Sequence, residues 1–211
     1  PLINEKKEQV RDIGRRFFQS RGFDFIKTPT VEYYETIGKS SAIPDSSLFK
    51  LVDRQGETLV LRPDMTTPIV RVATSKLLKE QIPLRLAYFA NVFRAQEHEG
   101  GRPAEFEQMG VELIGDDSVF ADAEMIITAS ELVQELGINS YRLTVGHAGL
   151  LQSILTQFTQ SDQQVRELRK LLVEKNMVGF EEAVRTFGLS NEEEQRFIEF
   201  IGQASNVQSI Q

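Results

Sequence analysis

The chain has 211 residues, 40% of them hydrophobic, and a formal charge of −7, enough apolar material for one large domain or two modest ones. It has no cysteine and two histidines far apart, which excludes disulfides and thiolate metal sites, argues against zinc and points to no cofactor. No apolar run approaches ~20 residues, the N-terminus lacks a charged-then-apolar signal pattern and no basic cluster stands out, so the expectation is a cytoplasmic protein with no membrane and no nucleic-acid partner.

Asn4 can cap a first helix running to about Ser20, with Val10, Ile13 and Phe17 as its apolar stripe and Gly22 as its stop. The β-branched and aromatic stretch from Gly22 to Glu35 reads as a strand, interrupted by Pro29. Proline donates nothing to a ladder, so this strand belongs at an edge or is broken there; such an edge meets another subunit or is a protected solvent edge. After a polar loop at 39–47, the runs 48–52 and 57–62 flank Asp53-Arg54-Gln55-Gly56 as a hairpin. Pro63 ends the second strand, and Thr67-Pro68 marks a helix start carrying Ile69, Val72 and Leu77. Arg62, Asp64 and Thr66 lie at this strand-to-helix junction, where backbone donors and the helix dipole favour ligand binding, though Asp and Thr are also common caps.

Leu84 to Phe93 is apolar on both faces, as a central strand should be. Arg94 follows and needs a carboxylate, a phosphate or solvent as partner. A polar loop with Gly100, Gly101, Arg102 and Pro103 leads to an alternating run. Phe106, Gln108, Gly110, Glu112 and Ile114 share one face of it, with Gln108 and Glu112 roughly 13 Å apart. With the bare backbone of Gly110 between them, these residues form either the floor of a ligand pocket or the wet face of a hairpin. Arg102 is either a phosphate clamp or a solvated loop residue. His98 reads as solvated and His147 as locally hydrogen-bonded.

Asp117 or Ser118 caps a helix through Leu136, with Gly137 as stop, and Tyr141 to Val145 reads as a short strand. Beyond Gly146 the pattern is helical: about 148–158, 162–175, 180–187 and 191–204. Capping boxes at Ser161/Gln164 and Ser190/Glu193 mark two of the starts. The chain therefore divides into a mixed α+β part, 1–147, and an all-helical part, 148–211.

At these residues the pattern resembles a known family. Residues 59–66, LVLRPDMT, resemble the LRPEGT signature of histidyl-tRNA synthetases. Residues 93–115, FRAQEHEGGRPAEFEQMGVELIG, resemble their class II motif 2 with its loop length preserved. The first helix and the Pro29 strand resemble motif 1, which implies a homodimer interface around Pro29. The implied fold is α+β: a class II aminoacyl-tRNA synthetase-like antiparallel sheet flanked by helices, followed by an all-helical insertion segment.

The resemblance implies a histidine-like amino group held by Asp64, Thr66, Gln108 and Glu112, with Asp64 shortening the family's glutamate. It matches Arg94 and Arg102 to arginines of the nucleotide side. By the same resemblance Gln96 stands where the family has a glutamate and Ala104 where it has a second arginine, which implies weaker ATP binding and adenylation. Phrases such as YFANVFRAQE and EFEQMGVELIG are most similar to the paralogous family of ATP phosphoribosyltransferase regulatory subunits. That implies a non-catalytic partner of the short-form catalytic subunit, required in the first step of histidine biosynthesis and involved in feedback inhibition by histidine. Without motif 3, the chain reads as an N-terminal fragment. The alternative is the catalytic fragment of a histidyl-tRNA synthetase.

Overall fold

The computed structural model describes residues 2–38, 43–77, 82–95, 103–159 and 161–205, with side chains through 201. The chain forms two compact units, Pro1–Asn139 and Ser140–Gln211. In the first, α1 spans Leu2–Ser20, β1 Asp24–Phe25, β2 Val31–Tyr33, β3 Lys50–Val52 and β4 Thr58–Leu61. Then come α2 at Thr66–Val72, β5 at Leu84–Phe93, β6 at Glu105–Ile114 and α3 at Val119–Glu135.

Two three-stranded sheets result, in the orders β1-β5-β6 and β2-β4-β3. Pro29 does break the run from Gly22 to Glu35, and the two pieces enter different sheets. β1 pairs parallel with β5, and β2 pairs antiparallel with β4. β5 and β6 pair antiparallel along their whole length, from Leu84 opposite Ile114 to Phe93 opposite Glu105. The two sheets meet where the Phe93 amide donates to the Arg62 carbonyl at 3.0 Å.

One face of the β1-β5-β6 sheet is covered by α1 and α3. Phe17, Phe18, Phe23 and Ala87 form the core there, with Met109, Val111, Met125 and Leu132 packed on it. The buried stripe of α1 is Gly14, Phe17 and Phe18; Val10, expected in it, is 39% exposed. Gly14 sets this register because a methyl group there would strike Met109 and Phe89, so the helix presses its backbone onto the sheet. The other face packs on α2 through Met65, Ile69, Leu86, Tyr88 and Val92.

The helix starts follow local chemistry with some shifts. α1 begins at Leu2, placing Asn4 inside it. α2 begins at Thr66, so Pro68 occupies its third residue. Ser118 caps α3 by accepting from the Ala121 amide at 3.2 Å.

The second unit contains α4 at Ala148–Phe158, α5 at Asp162–Val173, α6 at Met177–Arg185 and α7 at Asn191–Ser205. Leu155, Leu168, Phe180, Val184 and Phe197 are fully buried in its core, with Phe158 stacked on Phe197 at 4.4 Å. His147 caps α4, its Nδ1 accepting from the Leu150 amide at 3.0 Å. Ser161 caps α5, and Ser190 with Glu193 forms a reciprocal box at α7. Helix α6 starts earlier than its periodicity suggests, because Asn176 accepts from the Gly179 amide at 2.9 Å. The strand expected at Tyr141–Val145 is absent: those residues are exposed and belong to no ladder among the described residues. Alternation favours an extended chain, but a strand exists only with a neighbour to bond. No helix among the described residues is long and apolar enough to cross a membrane.

Candidate functional site

Three of the residues singled out in the sequence, Asp64, Thr66 and Glu112, gather where β6 faces the start of α2, and a fourth, Gln108, lies farther along the same strand face. Thr66, on the first turn of α2, donates from Oγ1 to Glu112 Oε1 at 2.8 Å. Asp64 precedes the helix and accepts from the Thr67 amide through Oδ1 at 2.9 Å. It is therefore a cap, as its position suggested, and also a second carboxylate near Glu112. Gln108 lies on the same face of β6, and its Oε1 is buried with no hydrogen-bond partner among the described residues. An orphaned buried acceptor is costly unless a donor reaches it, which marks the place where a ligand N–H would be most welcome.

The space over Gly110 is not open. Gly110 stands opposite Tyr88 in the ladder, and a methyl group on it would meet Tyr88 Oη at 2.5 Å. The phenol of Tyr88, 4% exposed, lies across the bare backbone and forms the floor that the glycine alone was expected to provide. Tyr88 was missed because its strand reads as uniformly apolar. The signal that could have found it is cross-strand pairing, where an aromatic side chain commonly covers a glycine on the neighbouring strand.

Charge and burial define what this surface accepts. Burial pushes the Glu112 carboxyl above its ordinary pKa; the Thr66 hydrogen bond opposes the rise and the Asp64 charge adds to it. Tyr88 is pushed up to about 12, first by burial and then by the charges of Glu112 and Asp64. Two carboxylates, a phenol that stays protonated and an unpartnered amide oxygen make a site for a cationic, donor-bearing group such as an ammonium.

Arg94 continues the ladder beyond β5, its amide donating to the Ala104 carbonyl at 2.9 Å. Its Nε donates to the Pro63 carbonyl at 2.8 Å, and its guanidinium lies 5.3 Å from the centre of the Phe106 ring. That contact aims the fork toward the Pro63–Asp64 turn, and its Nη atoms make no hydrogen bond among the described residues. Arg62 does something different. It is 7% exposed and clamps backbone, with Nε donating to Asn91 O at 2.9 Å and Nη1 to Thr28 O at 2.8 Å. Gln96, His98 and Arg102 lie outside the described residues. No three His, Cys, Asp or Glu side chains gather as a metal site among the described residues.

The family described as Histidyl-tRNA synthetase matches residues 1–210. The chain is 62% identical over 210 residues to the ATP phosphoribosyltransferase regulatory subunit of Lysinibacillus sphaericus, which it covers to 54% with all of its own length. It is 48% identical over 201 residues to the protein of the same description from Bacillus subtilis, covering 95% of this chain and 51% of that one. It thus spans about half the length of the curated relatives it matches. Among solved structures, an ATP phosphoribosyltransferase regulatory subunit/histidyl-tRNA synthetase from Bacillus halodurans superposes with a TM-score of 0.89. That match has 41% identity and covers 99% of this chain and 57% of that one. The histidyl-tRNA synthetase of Nostoc shares the fold, with a TM-score of 0.74 at 19% identity over 98% of this chain and 46% of that one.

Proposed function

We propose, for a chain that belongs to the histidyl-tRNA synthetase family, the role of a non-catalytic regulatory subunit of ATP phosphoribosyltransferase. The identity of 62% to a protein so described is the observation that carries this reading. In it the chain supports a short-form catalytic subunit in the first step of histidine biosynthesis and takes part in feedback inhibition by histidine. The helical unit is read as the inserted segment of the family.

The site geometry agrees with a retained amino-acid end and a reduced nucleotide end. An α-ammonium set against Glu112 and Asp64 would donate to the orphaned Gln108 Oε1, while Thr66 holds the Glu112 carboxylate in place. Arg94 presents its fork beside Pro63, suited to an anionic end of the ligand. Across the ladder from Arg94 stands Ala104, which supplies no second cation. Adenylation depends on preorganised positive charge at the phosphates, and that charge is thinner here.

A homodimer built around Pro29 is supported by the β2-β4-β3 sheet. Register puts Val31, Tyr33, Leu51, Leu59 and Leu61 on one face. Val31, Tyr33 and Leu51 are 43%, 55% and 44% exposed. A contiguous apolar sheet face of this kind marks an interaction surface.

The assay uses a full-length protein carrying these residues together with a short-form catalytic subunit. Co-purification with that subunit and stimulation of its phosphoribosyl transfer support the reading. Histidine-dependent exchange of pyrophosphate into ATP overturns it in favour of a synthetase.

A further inference from the structure

A cavity of about 540 Å³ opens beside β5, and its chemistry differs from that of the site above. Phe89, Asn91 and Phe93 line it from β5 and Glu105 from β6. By strand alternation these four project from the face opposite Gln108 and Glu112. Lys27 and Arg62 supply its positive charge.

Arg62 is the informative residue. The residue is 7% exposed, yet its hydrogen bonds go to three neutral carbonyls, Asn91 at 2.9 Å, Thr28 at 2.8 Å and Pro29 at 3.3 Å. These use Nε and Nη1, leaving Nη2 without a hydrogen bond among the described residues. Glu32 acts on Arg62 only through space and is itself bonded to Arg71 at 2.8 Å. Lys27 is exposed and has no ion pair among the described residues. Glu105, the one acidic lining residue, is engaged by Asn91 Nδ2 at 2.5 Å. The lining thus carries one net positive charge in a chain of charge −7, next to two phenyl rings.

We propose that this cavity binds a small organic carboxylate, with Arg62 and Lys27 taking the carboxylate and Phe89 and Phe93 its apolar body. A carboxylate oxygen can accept from the remaining Nη2 and would add a countercharge beside a guanidinium whose hydrogen bonds now go to neutral carbonyls. Thr28 and Thr30, on either side of Pro29, also border the cavity, so a second copy docking there would close it. The test must separate the two.

The probe is benzoate, titrated into the ¹⁵N-labelled chain at a concentration where sedimentation shows monomer, with benzyl alcohol, benzylamine and inorganic phosphate as comparators. Saturable shifts at the amides of residues 27, 28, 30 and 89–93, absent with benzyl alcohol and benzylamine, support the proposal. Lys27→Ala, at an exposed position that leaves the fold intact, should weaken benzoate about three- to fivefold, the size of one solvent-exposed charged contact. The proposal falls if benzoate gives no saturable shifts, or if the shifts lie at residues 64–66 and 108–112. It also falls if the alcohol or the amine binds as well, if phosphate competes equally, or if the shifts track dimer formation rather than benzoate.

Discussion

Glu112 receives the Thr66 hydroxyl at 2.8 Å, in a half-buried setting that raises its pKa through burial, against that hydrogen bond and with help from Asp64. The folded chain therefore holds the Glu112 proton more tightly than the unfolded chain. Stability is lost as pH rises through the interval between the ordinary carboxyl pKa and the raised one. Glu112→Gln removes that cost. Its melting temperature should exceed the parent's at about pH 7 and converge with it at about pH 3, where the carboxyl is protonated in both states. The same substitution should weaken histidine binding in a full-length protein by about 1.5–3 kcal/mol, read by calorimetry. An unchanged affinity would remove Glu112 from the site. Gly110 makes a separate prediction. Gly110→Ala places a methyl group 2.5 Å from Tyr88 Oη and should cost about 1–3 kcal/mol in urea unfolding. In a Tyr88→Ala background the penalty should largely disappear, since the clash is with that ring.

At the scale of elements, the helices answer to their own first turns, and a cap is a local event that spacing can reveal. Ser190→Ala removes a hydroxyl that accepts from the Glu193 amide at 3.3 Å and donates to Glu193 Oε2 at 2.7 Å. It should destabilise the helical unit by about 0.5–2 kcal/mol, measured by chemical denaturation followed by circular dichroism. Strands behave otherwise. The alternation of β6 correctly placed Gln108 and Glu112 on one face. The short strand expected at Tyr141–Val145 has no ladder partner among the described residues. Periodicity reports which way side chains point, whereas a strand also requires a second segment whose position periodicity does not contain.

For the whole molecule, the consequential feature is how the two small sheets are joined and what each leaves exposed. Arg62 ties the segment before β2 to β5 through carbonyls, and the β2-β4-β3 sheet turns an apolar face outward. If that face seats a second copy, Tyr33→Asp combined with Leu51→Asp should weaken self-association at least about tenfold in sedimentation equilibrium. Both side chains are exposed, so the fold should survive the change. An unaltered dimer would place the interface elsewhere.

The sequence by itself determined the periodic and punctuated features of this protein: its helices to within a few residues, the β5–β6 hairpin, the break at Pro29, and the shared face of Gln108 and Glu112. These depend on bonds within a few residues of one another and on the fixed periods of helix and strand. The tertiary structure decided the rest. It bonded Thr66 to Glu112, left Gln108 Oε1 without a partner among the described residues, laid Tyr88 over Gly110 and turned Arg62 from a junction residue into a buried clamp beside a cavity. Each of those outcomes joins segments far apart in the chain, and burial and hydrogen bonding between them are set by the packed chain as a whole.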